Sequence, residues 1–241
     1  MLQGIVSDIH GNLEALTAVW RAGEERGVER WVCLGDTVGY GADPAACLEE
    51  VRRRTPQALL GNHDAAVVGR LDPSYFNPLA LAAVRWTAAA LEAADRSYLA
   101  ERPLVLEAEG AFFAHASPRR PERWDYVFGS AEAAEAMGAS PSRLCFVGHT
   151  HSPFIARLGA GVVEAARDSA VELEDGARYL VNVGSVGQPR DGDPRACFAL
   201  WDSGPDRVEL VRVGYDIAAA QAKILAAGLP GRLASRLERG H

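Results

Sequence analysis

Five short apolar segments of this 241-residue chain end abruptly in aspartate, asparagine or histidine. The endings are SDIHGN (7–12), LGDTVGYG (34–41), LGNHDA (60–65), FFAHASP (112–118) and VGHTHS (147–152). A short apolar run bounded by turn residues is typical of a buried strand. In an open α/β sheet the carboxyl ends of strands lie along one edge, where ligands bind. The pattern therefore predicts a fold that collects these polar side chains at a common edge.

Helical segments separate the first three of these strands. Residues 11–27 have one apolar face, with Asn12 as the expected N-cap and Gly27 at the end. A second helix is expected after Asp43, its cap, with Pro44 in the first turn. The resulting β-α-β-α-β order predicts a parallel sheet with right-handed crossovers.

The rest of the chain changes character twice. Residues 74–101 are Ala-rich and predicted to be helical, and a hairpin with a turn at Glu109-Gly110 follows. After residue 151 we expect antiparallel hairpins and then a helical tail from Asp216 to about Leu237. The hairpin turns are predicted at Gly159–Gly161, Asp175-Gly176 and Gly204-Pro205. No linker or repeat divides the chain, so we expect one domain over residues 1–241.

Composition limits the partners. The net charge is −7 with a single lysine, Lys223, which argues against a nucleic acid held mainly through its backbone. The four cysteines show no CxxC spacing, and Cys33 and Cys145 lie in apolar runs, so we expect a reducing, cytoplasmic environment. The most apolar helical stretch, 79–91, contains Arg85 and is too short to span a bilayer, so no membrane partner is expected.

The residue types at the strand endings favour a metal site. Imidazole and carboxylate together suit Zn²⁺, Mn²⁺ or Fe better than Ca²⁺ or Mg²⁺. Five of the six histidines belong to these endings, and the sixth, His241, is the last residue. In a strand, Asp-x-His and His-x-His send alternate side chains to the same side. The candidate ligands are too many for one ion, and two ions about 3.5–4 Å apart would use them all.

Each motif alone is weakly informative. An isolated Asp-x-His usually has no function, and a Gly-Asp after a strand is usually a turn. His115 alone would be typical of a hydrogen-bonded core histidine, and the pair His149 and His151 alone is ambiguous. All five motifs, each at a strand end, are hard to explain as solvated loop residues.

The motifs together resemble those of the calcineurin-like metallophosphoesterase superfamily. The matching residues are Asp8-x-His10, Gly35-Asp36, Gly61-Asn62-His63-Asp64, His115 and Gly148-His149-x-His151. The segment 182–202, NVGSVGQPRDGDPRACFALWD, is also similar to the closing strands of a bacterial branch. The resemblance implies an α/β fold: a four-layer α-β-β-α sandwich of two stacked mixed β-sheets flanked by helices.

The resemblance also implies two metal ions that share one carboxylate. The first would be held by Asp8, His10, Asp36 and His151, and the second by Asp36, Asn62, His115 and His149. Mn²⁺ is the expected metal, with Fe, Zn, Ni and Co as alternatives. A hydroxide activated by both ions would attack phosphorus, since divalent cations lower the pKa of bound water. Two carboxylates against two divalent ions leave a local charge of about +2, which explains how an acidic chain could bind phosphate.

Two further residues are expected to act without binding metal. His63 would serve as general acid for the leaving group, and Asp64 would orient its ring. The resemblance therefore implies a phosphoesterase acting on a small phosphomonoester or phosphodiester, with a nucleotide as one candidate substrate.

Substrate selection is less well defined. Protein serine/threonine phosphatases and diadenosine tetraphosphatases have GDxVDRG and GNHE, where an arginine clamps phosphate; this chain has GDTVGYG and GNHD. Both departures count against those two activities. We expect substrate contacts from Tyr40, through stacking, and from Arg119 and Arg190, through charge.

The sequence is less consistent with three other functions. A nuclease is disfavoured because no basic groove is evident. A catalytically silent scaffold would be expected to have lost ligands, and a metal-storage or sensing protein would not need the His63-Asp64 pair. The native metal, the substrate and the oligomeric state stay open, as does the role of residues 74–101.

Overall fold

Twelve strands form two sheets in the computed structural model, which describes residues 1–165 and 169–241. In chain order they are β1 (Leu2–Val6), β2 (Arg30–Cys33), β3 (Gln57–Ala58), β4 (Val105–Ala108), β5 (Ala111–Ala114), β6 (Leu144–Val147), β7 (Phe154–Gly159), β8 (Val162–Ala165), β9 (Ala170–Glu172), β10 (Arg178–Asn182), β11 (Ala196–Asp202) and β12 (Arg207–Val213).

Eight α-helices accompany the strands in the described parts of the chain. They are α1 (Leu13–Glu25), α2 (Pro44–Arg54), α3 (Asn62–Val67), α4 (Pro78–Ala90), α5 (Ala93–Ala100), α6 (Ser130–Ala139), α7 (Ile217–Ala226) and α8 (Gly231–Ser235). Asn12 caps α1 as predicted, since its side-chain oxygen accepts a hydrogen bond from Ala15 N–H at 3.1 Å. None of the helices described is long and apolar enough to cross a membrane.

The topology confirms the predicted α/β architecture. The first sheet has the order β3-β2-β1-β11-β12-β9, and the second has the order β4-β5-β6-β10-β7-β8. Strands β1, β2 and β3 are parallel, as are β5, β6 and β10. Each sheet is mixed because its remaining pairs are antiparallel. Each parallel trio therefore presents its carboxyl ends along one edge of its sheet.

Apolar layers hold the four-layer sandwich together. Phe113 and Phe146 of the second sheet stack with ring centroids 5.3 Å apart, and Phe146 meets Trp201 of the first sheet at 5.9 Å. On the outer face of the first sheet, Trp20 of α1 packs against Trp31 at 4.4 Å. Helix α6 covers the outer face of the second sheet. The inner faces of the two sheets thus pack against each other. The loops that follow the carboxyl ends of the parallel strands lie at the edge of this apolar core.

The turn at Asp175-Gly176 does not form the predicted hairpin. Strand β9, before the turn, pairs with β12 in the first sheet, whereas β10, after it, lies between β6 and β7 in the second. Burial explains the difference. Tyr179–Asn182 are fully buried, as befits a central strand, while β9 is partly exposed at a sheet edge. The turn therefore carries the chain from one sheet to the other.

Two helix details also differ from expectation. Asp43 precedes α2 as predicted, but its side chain makes no capping hydrogen bond and instead accepts from Lys223 Nζ at 2.8 Å. The predicted continuous tail is broken, because Gly228, with a φ of 70°, and Pro230 separate α7 from α8. The break folds α8 back against α7.

Candidate metal centre

Backbone hydrogen bonds continue beyond the ends of the strands and fix the positions of the polar residues that follow them. After β1 and β2, Asp8 N–H donates to Gly35 C=O at 3.1 Å, and His10 N–H donates to Asp36 C=O at 2.9 Å. In the second sheet, Gly148 N–H donates to His115 C=O at 2.9 Å. These hydrogen bonds therefore hold the loops of each sheet in pairs at the carboxyl ends of the parallel strands, an edge that we call the rim.

Asp8 joins the two sheets at this rim. Its Oδ2 accepts a hydrogen bond from His149 N–H at 2.9 Å. Its backbone carbonyl accepts from Ser185 Oγ at 2.8 Å and from Gly187 N–H at 2.9 Å, both in the loop after β10. The first sheet's carboxylate is thus fixed by the second sheet's loops.

Two glycines of the motifs are required by close approach. A methyl group on Gly61 would lie 2.0 Å from Asp36 Oδ1, and one on Gly148 would lie 2.1 Å from Ser7 Oγ and 2.6 Å from Asp8 Oδ2. Any side chain at either position would push the carboxylates out of place.

The loops at the rim hold an unusual backbone conformation. Five of the predicted metal ligands have φ between 51° and 66°: Asp8, His10, Asp36, His149 and His151. For residues other than glycine this region costs about 1–3 kcal/mol each and is concentrated at functional sites. The packed rim therefore stores strain to keep these side chains together.

The structure brings the predicted site residues into one buried cluster. Three overlapping groups have potential ligand atoms within 4.8 Å of one another: Asp8, His10 and His151; His10, Asp36 and His63; Asp36, His115 and His149. Asn62 joins them, since its Oδ1 lies 3.2 Å from His115 Nε2. All of these side chains are buried.

The two oxygens of each carboxylate, in Asp8 and in Asp36, have different partners. One oxygen of each accepts a backbone N–H: Asp36 Oδ1 accepts from His63 at 2.8 Å, as Asp8 Oδ2 does from His149. The other oxygen faces imidazoles, with Asp8 Oδ1 3.2 Å from His151 Nε2 and Asp36 Oδ2 3.5 Å from His115 Nε2. Each carboxylate is therefore fixed by one oxygen and presents the other to the cluster.

The donor set fits a metal ion better than it fits any internal hydrogen-bond scheme. His10 Nδ1 lies 3.1 Å from Val38 C=O and His151 Nδ1 lies 2.6 Å from Gln188 C=O; a carbonyl only accepts, so both Nδ1 atoms carry the proton. Both Nε2 atoms, 3.1 Å apart, then turn lone pairs towards each other. Asp8 Oδ1 also has no hydrogen-bond partner among the described residues. A cation between these atoms would satisfy all three.

Burial and charge set the protonation of the histidines. Burial lowers the pKa of His149 to about 3 and that of His151 to about 4, so both rings are neutral at pH 7, as metal ligands must be. Burial also acts to lower the pKa of His115, but the carboxylates of Asp36 and Asp8 outweigh it and raise the value to about 9. His115 must therefore lose a proton when a metal binds.

Asp64 does not orient the ring of His63, contrary to the sequence prediction. Its carboxylate accepts three backbone N–H groups, from Thr37 at 3.3 Å, Val38 at 3.1 Å and Gly61 at 3.1 Å. These bonds occupy the carboxylate and tie the loops after β2 and β3 together. The Nδ1 of His63 is buried and has no partner within the described residues.

The three predicted substrate contacts have different surroundings. Tyr40 is only 5% exposed and its ring packs 4.5 Å from that of His63, so it supports the site and is not free to stack on a substrate. The guanidinium of Arg119 pairs with the Glu135 carboxylate at the surface. Arg190 has no carboxylate within 4.0 Å in the parts of the chain described, and its backbone N–H donates to His151 C=O at 3.1 Å.

An aromatic pair at the rim was missed by the sequence analysis. The ring of Tyr126 stacks on that of His149 at 4.1 Å with an interplanar angle of 18°, and Phe128 stacks on Tyr126 at 5.0 Å. Both are exposed, at 47% and 67%. The alternation of Trp124, Tyr126 and Phe128 along the loop is the sequence signal for this pair.

Comparisons with known proteins agree with this geometry. The family model for the calcineurin-like phosphoesterase superfamily domain matches residues 1–204. The uncharacterized protein MJ0912 of Methanocaldococcus jannaschii is 38% identical over 98% of this chain and 97% of its own. The crystal structure of a metallophosphoesterase from Sphaerobacter thermophilus has a TM-score of 0.88 and 41% identity, over 100% of this chain and 99% of that one. The hypothetical protein PH1004 of Pyrococcus horikoshii, with a TM-score of 0.79 and 20% identity over 100% and 98% of the two chains, shares the fold. With its family model, its fold and its buried histidine-aspartate cluster in agreement, this chain belongs to the calcineurin-like phosphoesterase superfamily.

Proposed function

We propose that this protein is a dinuclear metal-dependent hydrolase of a small phosphomonoester or phosphodiester. The observation that carries the proposal is the pair of Nε2 lone pairs of His10 and His151, which face each other 3.1 Å apart beside an unpartnered Asp8 oxygen. The family acts on phosphate esters, and this cluster supplies the donors that such chemistry needs.

The ligand assignment is part of the proposal. One ion would be held by Asp8, His10, Asp36 and His151, and the other by Asp36, Asn62, His115 and His149. Asp36 belongs to two of the three groups, one with His10 and the other with His115 and His149, which supports this carboxylate as the shared ligand. When bound, two divalent ions polarise a phosphoryl oxygen and lower the pKa of water towards neutrality. Mn²⁺ is our proposed metal, since the donors mix imidazole nitrogen with carboxylate and amide oxygen.

The role of His63 as general acid follows from its place beside the cluster. Its ring lies 4.9 Å from that of His10 and belongs to the group that contains Asp36. Burial lowers the pKa of His63 well below its ordinary value, although Asp36 acts in the opposite direction. A bound phosphate adds negative charge nearby and favours the protonated ring, which then donates to the leaving oxygen.

The rim favours a leaving group with a flat ring. Tyr126 and Phe128 stack on each other, and Tyr126 covers His149 of the cluster while nearly half of its surface is exposed. An aromatic ring or nucleobase could extend this stack. The aromatic pair therefore supports a nucleotide among the small phosphate esters.

Hydrolysis of two simple esters tests the proposal. Protein stripped of metal with a chelator should be inactive towards p-nitrophenyl phosphate and bis-p-nitrophenyl phosphate, and added Mn²⁺ should restore hydrolysis of at least one. Ca²⁺ is the matched control ion and should restore little, because it prefers all-oxygen sites. The preferred ester distinguishes a monoesterase from a diesterase. Protein that holds metal but hydrolyses neither ester would contradict the proposal and favour the scaffold.

A further inference from the structure

Two arginines border the proposed centre on the side of Tyr40. The guanidinium carbon of Arg190 lies 5.7 Å from the centroid of the Tyr40 ring, and that of Arg236 lies 6.0 Å from it. The same ring lies 4.7 Å from the His10 ring and 4.5 Å from the His63 ring. Arg236 follows α8, so the C-terminal helices bring a second cation beside one from the loop after β10.

Neither arginine is paired with an acidic side chain. In contrast to Arg119 and Arg212, Arg190 and Arg236 have no Asp or Glu oxygen within 4.0 Å in the parts of the chain that the structure describes. Arg190 donates from Nη2 to Gln188 Oε1 at 3.0 Å, while its Nε is buried and unpartnered. Arg236 donates from Nε to an oxygen of His241, the last residue of the sequence. The Nη groups of Arg236 face no acidic side chain among the described residues.

The two cations act on each other. Arg236 is partly buried, and its pKa is lowered to about 10 by burial and then by the charge of Arg190. Two like charges placed close together repel each other, and a bound anion would reduce this repulsion. Arginine presents several N–H groups in a planar fork that matches phosphate geometry.

A basic cleft continues from this pair. A cavity of about 740 Å³ contains Arg236 in its wall, together with Arg232, Arg239 and His241, and no acidic residue lines it. Asn77 and Leu79, at the start of α4, also line it. The cleft gives an anionic ligand a positively charged approach to the pair.

We propose that Arg190 and Arg236 form a second phosphate site, so that the preferred substrate carries two phosphate groups joined by a short spacer. One phosphate would lie at the metal centre and the other on the arginine pair, with Tyr40 between them. This inference rests on the proposed function. It assigns to Arg236, and to the helical tail that carries it, a role in substrate selection.

A matched pair of sugar phosphates tests the second site. Glucose 6-phosphate and glucose 1,6-bisphosphate differ only in the second phosphate and carry no aromatic ring, so the Tyr126 stack plays no part. Their dissociation constants are measured by calorimetry on Mn²⁺-loaded protein, and their inhibition constants against p-nitrophenyl phosphate. We expect the bisphosphate to bind at least about tenfold more tightly to the wild type.

Three variants separate substrate binding from packing. Arg236→Gln should reduce the preference for the bisphosphate to less than about threefold, whereas Arg236→Lys, which keeps the charge, should retain part of it. Arg85→Gln is the matched control, because Arg85 is exposed on α4 away from the centre, and it should retain the full preference. Circular dichroism checks that each variant is folded.

The outcomes are distinct. Equal affinity of the wild type for the two sugars, or full preference in Arg236→Gln, would overturn the second site. Loss of preference in Arg236→Lys equal to that in Arg236→Gln would point to packing on Tyr40 and also overturn it. Failure to hydrolyse both p-nitrophenyl phosphate and bis-p-nitrophenyl phosphate would reject the proposed function, while the calorimetric comparison would still decide the second site.

Discussion

Asp36→Asn should lose most of the bound metal and lower kcat/KM by about 10³-fold or more. Asp36 is the one carboxylate common to two of the three buried ligand groups found among the described residues, and we propose that its charge serves both ions. Asparagine keeps the shape and can still accept the His63 N–H that Asp36 Oδ1 accepts at 2.8 Å. The variant therefore removes charge from the oxygen that faces the histidines without removing the bond that fixes the loop. A bound metal ion can stabilise the transition state by several kcal/mol, so its loss would account for a fall in rate of this size.

Metal content by elemental analysis and steady-state kinetics measure this effect together. Asp43→Asn is the matched control: Asp43 N–H donates to Gly11 C=O at 2.9 Å, but its carboxylate accepts from Lys223 Nζ and belongs to none of the ligand groups found among the described residues. That variant should keep its metal and its activity. An Asp36→Asn protein with wild-type metal content and turnover would show that Asp36 is not a shared ligand.

His63→Gln should retain its metal but lose about 10²–10⁴-fold in kcat, the usual contribution of a positioned general acid. His63 lies in a group with His10 and Asp36, yet the other donors of the cluster are sufficient for two ions without it. Glutamine can fill much of the space beside Tyr40, whose ring lies 4.5 Å from that of His63, but it cannot protonate a leaving oxygen.

The dependence on the leaving group separates proton donation from a structural effect. The loss should be largest for an alkyl phosphate, whose leaving oxygen needs a proton, and smallest for p-nitrophenyl phosphate. Arg85→Gln, at an exposed position of α4, is the control and should hydrolyse both esters normally. A uniform loss across leaving groups, or a loss of metal, would reject the role of general acid for His63.

The position of the rim could be predicted because the apolar runs of parallel strands end at the same edge of a sheet. Each apolar run ends at a fixed edge, so Asp8, Asp36 and His149 could be placed near one another without knowledge of the loops. The predicted reason for the Asp-x-His pairing was incomplete, however. Asp8 and His10 follow the end of β1 at Val6 and have positive φ, so loop conformation and not strand alternation aims their side chains.

Other features depend on contacts between distant segments. The turn at Asp175-Gly176 has ordinary hairpin residues, and only the burial of β10 in the second sheet makes it a crossover. The carboxylate of Asp64 could equally have bound its neighbour His63, but three backbone N–H groups from two loops occupy it. Arg236 reaches Tyr40 only because the break near Pro230 turns the tail back. No local pattern encodes these three arrangements.

Anomalous diffraction from crystals of the Mn²⁺-loaded protein tests the central claim most directly. We predict two metal peaks about 3.5–4 Å apart, with Asp36 contacting both and the Nε2 atoms of His10 and His151 on one of them. A single peak, two peaks on separate surfaces, or no peak in protein supplied with excess metal would contradict the dinuclear centre.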